Sequence, residues 1–67
     1  MDTIKRVQDL MQERDMNLCV LAKKCGISYS TIQTTARRGG QLSVETIERI
    51  CLGLGITLKD FFGSSYL

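Results

Sequence analysis

The 67-residue chain contains no histidine, no proline and no tryptophan, and these absences exclude several kinds of site. Histidine is the commonest general base and a common zinc ligand, so a chain without it is a poor candidate for an enzyme. The three cysteines, Cys19, Cys25 and Cys51, are odd in number and include no Cys-x-x-Cys pair, which argues against both a zinc site and a disulfide framework. We therefore predict reduced and mostly buried cysteines, no metal, no cofactor, no small-molecule ligand and no enzymatic activity.

Long apolar runs are also absent. The longest one extends only from Leu18 to Ala22, whereas a membrane-spanning helix needs about 20 apolar residues. The first residues, Met-Asp-Thr-Ile-Lys-Arg, are not followed by the apolar stretch of a secretory signal. We expect a soluble, cytoplasmic protein without a membrane segment. The short length favours a single domain over residues 1–67, with one small core.

The formal net charge of +2 is unevenly distributed along the chain. Between Met16 and Val44 there is no acidic residue, and the basic residues there are Lys23, Lys24, Arg37 and Arg38. The rest of the chain carries five basic and seven acidic residues. A positive central segment favours a polyanion such as nucleic acid as the partner. Charge by itself also fits a solvated surface without a function.

Apolar residues recur at helical spacing along the chain, and no segment alternates with period two for long enough to be a strand. The fold class is therefore predicted to be all-α, with helices over about residues 3–14, 18–25, 29–37, 44–54 and 58–62. Asp2 or Thr3 is expected to cap the first helix, and Asn17, Ser28 and Ser43 are expected to cap the next three.

The third and fourth predicted helices differ in their apolar residues. The expected buried line of the fourth helix is Val44, Ile47, Ile50, Cys51 and Leu54. Gly53, inside its last turn, indicates either a weak point or a close approach of two helices. In the third helix only Ile32 and Ala36 form an apolar line, which is unusually little for a helix of the core.

The most specific stretch is Leu-Ala-Lys-Lys-Cys-Gly-Ile-Ser-Tyr-Ser-Thr-Ile, which ends at Ile32. An amphipathic helix stops at Gly26, a three-residue turn follows, and a second helix begins. Ala22 is small where the two helices would cross, and Gly26 tolerates the positive φ of such a stop. Ile27 and Ile32 would fill the corner. The pattern predicts a helix-turn-helix whose second helix keeps a polar outer face.

These residues resemble the helix-turn-helix of the Cro and phage-repressor (XRE-like) family. The resemblance extends from about Ile4 to Phe62 and includes a second block, Thr-Ile-Glu-Arg-Ile-Cys, which begins at Thr46. It implies a compact five-helix, lambda-repressor-like DNA-binding domain. The function that it implies is a sequence-specific transcriptional regulator, which we expect to be a repressor, reading the major groove of double-stranded DNA with its third helix.

The resemblance also implies which residues touch DNA. The expected base-reading residues lie on the first turns of the third helix: Tyr29, Ser30, Gln33 and Thr34. The expected phosphate contacts are the cap of the second helix and the basic residues of the central segment: Asn17, Lys23, Lys24, Arg37 and Arg38.

The chain departs from the family pattern beside this reading unit. Leu18 stands where many members carry Gln, and Ala36 stands where Glu is common. The alternative function is therefore a protein-interaction or antitoxin-like module with the same fold. The absence of acidic residues between Met16 and Val44 favours DNA.

The last 14 positions concentrate apolar residues that a small core cannot easily bury: Leu54, Ile56, Leu58, Phe61, Phe62, Tyr66 and Leu67. We expect a homodimer that is joined through the fourth and fifth helices, weak in solution and strengthened on DNA. In the alternative, Phe61 and Phe62 fold into the monomer core and the domain dimerises only on its operator.

Overall fold

In the computed structural model, which describes residues 2–63, the chain forms five α-helices and no strand. The helices are α1 (Thr3–Glu13), α2 (Leu18–Cys25), α3 (Tyr29–Arg37), α4 (Val44–Leu54) and α5 (Leu58–Phe62). The connections between them are short, from three to six residues. The predicted all-α fold class is confirmed.

Side-chain caps begin four of these helices. In each, an oxygen of the cap residue accepts a hydrogen bond from the backbone N–H three residues later, and the caps are Asp2, Asn17, Ser43 and Thr57. Ser28 occupies the cap position of α3, but its hydroxyl lies 2.9 Å from the Ser30 hydroxyl and makes no bond to the helix backbone. The prediction of a side-chain cap at Ser28 is therefore wrong.

The hydrophobic core lies where α2 packs on α4 and is closed by α1 and α5. Its largest fully buried side chains are Phe61, Leu21, Ile50 and Val7. From α3 only Ile32 is buried, and Ala36, the other member of its predicted apolar line, is exposed. Because so little of α3 is used for the core, most of its surface faces outward.

Gly53 allows α2 and α4 to approach each other closely. A Cβ at this position would lie 2.8 Å from the Cα of Cys25, a distance that real Cβ atoms do not adopt. The neighbouring atom belongs to the backbone and cannot rotate away. Of the two interpretations of Gly53, close approach is the correct one.

Val44 does not belong to the buried line predicted for α4. It is 68% exposed, whereas Ile47 and Ile50 are buried. Leu42, in the loop before the helix, is buried in the same core cluster as Ile47. An apolar residue just before the cap that packs near the fourth helical residue is a hydrophobic staple. Because Leu42 fills this place, Val44 is left to solvent.

Thr3 joins the start of α1 to the loop before α4. Its hydroxyl donates to Gln41 Oε1 at 2.8 Å and accepts from the N–H of Leu42 at 2.9 Å. Asp2, and not Thr3, is the cap of α1. The buried hydroxyl of Thr3 therefore fixes the loop that follows α3.

Arg6 joins α1 to the end of α5. Its Nε donates to the carbonyl of Phe61, and its Nη2 donates to the carbonyl of Asp60 at 2.8 Å. The last carbonyls of a helix have no partner within the helix and carry partial negative charge, so a guanidinium satisfies them well. This contact holds α5 over the core.

Candidate nucleic-acid interface

The corner between α2 and α3 has the geometry of a helix-turn-helix. Gly26 ends α2 in the left-handed conformation, with φ 66°. The N–H of Ile27 returns to the carbonyl of Ala22 at 3.0 Å, as in a Schellman stop. Ala22 and Ile32 are buried, and Ile27 packs half-buried against the core. The predicted left-handed stop at Gly26 is confirmed.

The outer face of α3, hereafter the α3 face, consists of Tyr29, Ser30, Gln33, Thr34 and Arg37. Tyr29, Gln33 and Arg37 follow one another at four-residue spacing, and Ser30 and Thr34 form the neighbouring row. Tyr29 is 40% exposed; Thr34 is half-buried, and the other three are exposed. The fold thus brings together the four residues predicted to read bases, with one basic residue beside them.

Two hydroxyl contacts order the α3 face. Gln33 Nε2 donates a hydrogen bond to the Tyr29 hydroxyl at 2.7 Å, across one helical turn. At the start of the helix the hydroxyls of Ser28 and Ser30 form the pair described above. Within the α3 face, Tyr29 and Gln33 therefore hold each other, and Ser30 is held by the residue before the helix.

The cap of α2 carries a polar side chain, Asn17. The Oδ1 of Asn17 accepts from the N–H of Val20 at 2.9 Å, which leaves the Nδ2 amide to donate outward. The first amides of a helix carry partial positive charge, so an anion is favoured at this place.

A groove of about 370 Å³ separates α1 from α3 and reaches the first residue of α2. Its lining is mainly apolar, with three polar side chains: Ile4, Val7, Met11, Leu18, Ile32, Ala36, Gln8, Gln33 and Arg37. Leu18 and Ala36 are the departures from the family pattern, and both supply apolar surface here. Because Gln33 and Arg37 also line this groove, the start of α2 and the α3 face form one continuous surface.

The basic residues of the central segment are all exposed. Lys23 and Lys24 lie in the last turn of α2, at the opposite end from Asn17, and Arg37 and Arg38 lie at the end of α3. Within residues 2–63 none of these four forms an ion pair. Their charges are therefore free to attract an anionic partner.

Arg49 makes a contact that was not predicted from the sequence. From α4, its Nη1 donates to the carbonyl of Gly26 at 3.1 Å, and its Nη2 pairs with Glu45 at 3.2 Å. It ties the turn of the helix-turn-helix to α4 and so helps to orient α3. The spacing of Glu45 and Arg49 is visible in the sequence, but no local signal links Arg49 to a residue 23 positions away.

The three cysteines are free thiols, of which Cys25 and Cys51 are buried and Cys19 is exposed. Burial raises the pKa of both the Cys25 and the Cys51 thiol, so these two stay protonated at neutral pH. Among the described residues, no three His, Cys, Asp or Glu side chains are placed to hold a metal ion.

Comparison with known proteins identifies the family. No curated protein and no solved structure matches the chain, but a family model for the Cro/C1-type HTH DNA-binding domain matches residues 6–64. The matched range contains the helix-turn-helix corner, the α3 face and the four exposed basic residues. Domains of this family are typically non-enzymatic, and in the described part of this chain no helix could cross a membrane. The chain belongs to the Cro/C1-type helix-turn-helix family of DNA-binding domains.

Proposed function

We propose that the protein is a sequence-specific transcriptional regulator that inserts α3 into the major groove of double-stranded DNA. The observation that carries this proposal is the α3 face, which is polar and free of acidic residues, includes the exposed Arg37 and has the exposed Arg38 next to it. The major groove admits an α-helix, and its base edges present donors, acceptors and thymine methyl groups. Hydroxyl and amide side chains match these groups.

In the proposed complex, the residues that meet base edges are Tyr29, Ser30, Gln33 and Thr34. The amide of Gln33 can both donate to and accept from adenine, and Thr34 can place its methyl group against that of thymine. The hydroxyl of Ser30 can donate or accept, so it fits several bases.

Phosphate contacts come from two places in this proposal. Asn17 donates its free Nδ2 amide to a phosphate at the start of α2, where the helix amides reinforce the contact. Arg37 lies on the α3 face and reaches the backbone at the edge of the groove, with Arg38 beside it. Lys23 and Lys24 attract the duplex from the other end of α2.

We infer that the protein represses transcription and that it acts in the cytoplasm. Repression requires only that the domain occupies an operator, so it is the mode that DNA binding alone supports. Neither an inducer nor an activating surface is needed for it.

We also infer that two copies bind together through α4 and α5. Leu52 is 83% exposed, Leu58 is 42% exposed, and both line a groove of about 310 Å³ together with Glu48, Cys51 and Ile56. Exposed leucines that line one groove support a protein partner. Two-fold symmetry would place two copies of α3 one DNA turn, about 34 Å, apart.

The composition of this surface differs from the one expected from the sequence. Phe61 is fully buried and Phe62 packs half-buried against the core, with the two ring centroids 5.2 Å apart. Phe61 therefore belongs to the monomer core and is unavailable to a partner. Tyr66 and Leu67 lie outside the described residues. Leu52 was not predicted from the sequence to belong to this surface, although four-residue spacing places it on the same side of α4 as Glu48.

The selection of bound sequences from a random duplex library tests the DNA-binding proposal. We expect an enriched palindrome whose half-sites are centred about one helical turn apart. A variant with Gln33→Ala and Thr34→Ala keeps every positive charge and should bind duplexes without enriching that motif. If the wild type enriches no sequence, sequence-specific DNA binding is excluded, and the alternative of a protein-interaction module is favoured.

Sedimentation at rising protein concentration tests the dimer. We expect Leu52→Glu to weaken self-association at least about tenfold, because a carboxylate would have to be buried in the interface. Val44→Glu is the matched control, since Val44 is exposed on the same helix but does not line the groove. A wild type that stays monomeric to about millimolar and binds half-sites without cooperativity would reject the dimer.

A further inference from the structure

We propose that Tyr29 is a positioning residue for Gln33, and that the two side chains read one adenine as a unit. This inference rests on the proposed function of the α3 face. It replaces the expectation that Tyr29 and Gln33 each read a base independently.

The observation behind it is the 2.7 Å hydrogen bond from Gln33 Nε2 to the Tyr29 hydroxyl. Gln33 is exposed, and within the described residues this is its one side-chain hydrogen bond. A free glutamine side chain samples many rotamers and loses that freedom when it binds a base. The bond to Tyr29 restricts the amide before DNA arrives, so that less entropy remains to be lost on binding.

The remaining hydrogen-bonding groups of the pair select the base. A carboxamide has two N–H donors and one carbonyl acceptor, and Tyr29 takes one of the donors. In the proposed arrangement Tyr29 takes the N–H that points away from Oε1, so the second N–H and Oε1 lie side by side. Adenine offers an acceptor at N7 and a donor at N6 in the major groove, which match both groups. Guanine presents two acceptors, so Oε1 would face O6 without a proton between them.

This division of roles predicts a specific effect for Tyr29→Phe. The ring is retained and only the hydroxyl is removed, so folding is preserved and Gln33 becomes free to rotate. We expect the preference for adenine, at the position that Gln33→Ala identifies, to fall about three- to tenfold, as for the loss of one hydrogen bond. The salt dependence of binding should not change, since no charge is altered.

The matched control is Ser28→Ala, which removes the other hydroxyl pair at the same end of α3. We expect it to leave the adenine preference intact. In a Gln33→Ala background, Tyr29→Phe should have no further effect on base preference, because the residue that it positions is gone.

A second measurement needs no DNA. The ¹⁵N relaxation of the Gln33 side-chain amide in the free protein should report a restrained group in the wild type and a mobile one in Tyr29→Phe. Equal mobility in both proteins would overturn the positioning role. So would an unchanged adenine preference in Tyr29→Phe, or an effect of Tyr29→Phe that persists in the Gln33→Ala background. A wild type that selects no sequence would instead reject the proposed function itself.

Discussion

The helices α3 and α4 have similar lengths, nine and eleven residues, but they use their surfaces differently. On α4, Ile47, Ile50 and Cys51 are buried, and at Gly53 the backbone of α4 lies close to the backbone of α2. On α3 only Ile32 is buried. The core therefore holds α4 through several side chains and α3 mainly through Ile32, and Arg49 ties the turn before α3 to α4. Such an arrangement leaves α3 free to present polar groups to a partner.

The outer faces of the same two helices also differ. The α3 face consists of hydroxyl, amide and guanidinium groups, whereas the outer side of α4 exposes Val44 and Leu52. Polar groups can match base edges and phosphates, and exposed leucine favours contact with another protein surface. One small domain thus has two exposed surfaces of different chemistry.

The largest expected effect tests the close packing of α4. Helix propensity alone predicts that Gly53→Ala stabilises the protein by up to about 1 kcal/mol. The approach of the Cys25 backbone predicts the opposite, a net loss of about 2–3 kcal/mol in the free energy of unfolding, because the helices must separate. Chemical denaturation measures the sign. Gly40→Ala is the control, since its Cβ would meet Thr35 at an ordinary 3.7 Å. A stabilised Gly53→Ala variant would contradict the α2–α4 geometry.

The next effect separates two kinds of contact on the α3 face. We expect Gln33→Ala to relax the preference at one base position by about 1.5 kcal/mol, with little change in stability. Arg37→Ala should instead weaken binding to all sequences alike and lower the salt slope by about 0.9, as for one lost phosphate contact. Binding titrations at several salt concentrations distinguish the two outcomes. Uniform weakening by Gln33→Ala would argue against base reading.

A smaller effect tests how α3 is oriented. Arg49→Met should lower the free energy of unfolding by about 0.5–1 kcal/mol, because the carbonyl of Gly26 loses a charged donor that is half exposed to water. DNA affinity should fall with it, since the turn before α3 is no longer tied to α4. Glu45→Gln removes the ion pair but keeps the bond to Gly26, and we expect it to behave like the wild type. Equal losses in both variants would assign the effect to the ion pair.

The smallest effect concerns the caps at helix N-termini. Helix α3 lacks a side-chain cap, whereas α5 begins with a capping box, in which the side chains of Thr57 and Asp60 each accept a hydrogen bond from the backbone N–H of the other residue. The N–H of Thr57 donates to the Asp60 carboxylate at 3.1 Å and holds the pKa of this carboxyl below its ordinary value of 3.8. The folded state therefore binds the proton more weakly than the unfolded state. The stabilisation is complete above the ordinary value and is lost as the pH falls through the lowered pKa.

We expect the thermal midpoint of the wild type to fall more steeply below about pH 4 than that of Asp60→Asn, which cannot titrate. Because Asp60 is exposed to solvent, the difference should be small. Identical pH profiles for the two proteins would show that the ionisation of Asp60 has no influence on stability.

The local features of the fold were predictable because their causes act within one or two helical turns. The cap at Asn17, the left-handed stop at Gly26 and the polar character of α3 follow from neighbouring residue types. The residues proposed to read bases were expected from the resemblance to the Cro and phage-repressor family, and helical spacing places Gln33 on the same face as Tyr29. The sequence by itself therefore determined the helix-turn-helix and the residues proposed to face DNA.

The tertiary structure decided which of several apolar residues enter the core and which polar groups meet over long distances. Leu42, and not Val44, fills the core beside α4, because the loop is held by Thr3, some 39 positions away. The bond from Arg49 to the turn depends in the same way on how α4 crosses α2. Helical periodicity determines only the direction in which a side chain points around the axis of its helix. The partner opposite that side chain is determined by how the helices pack.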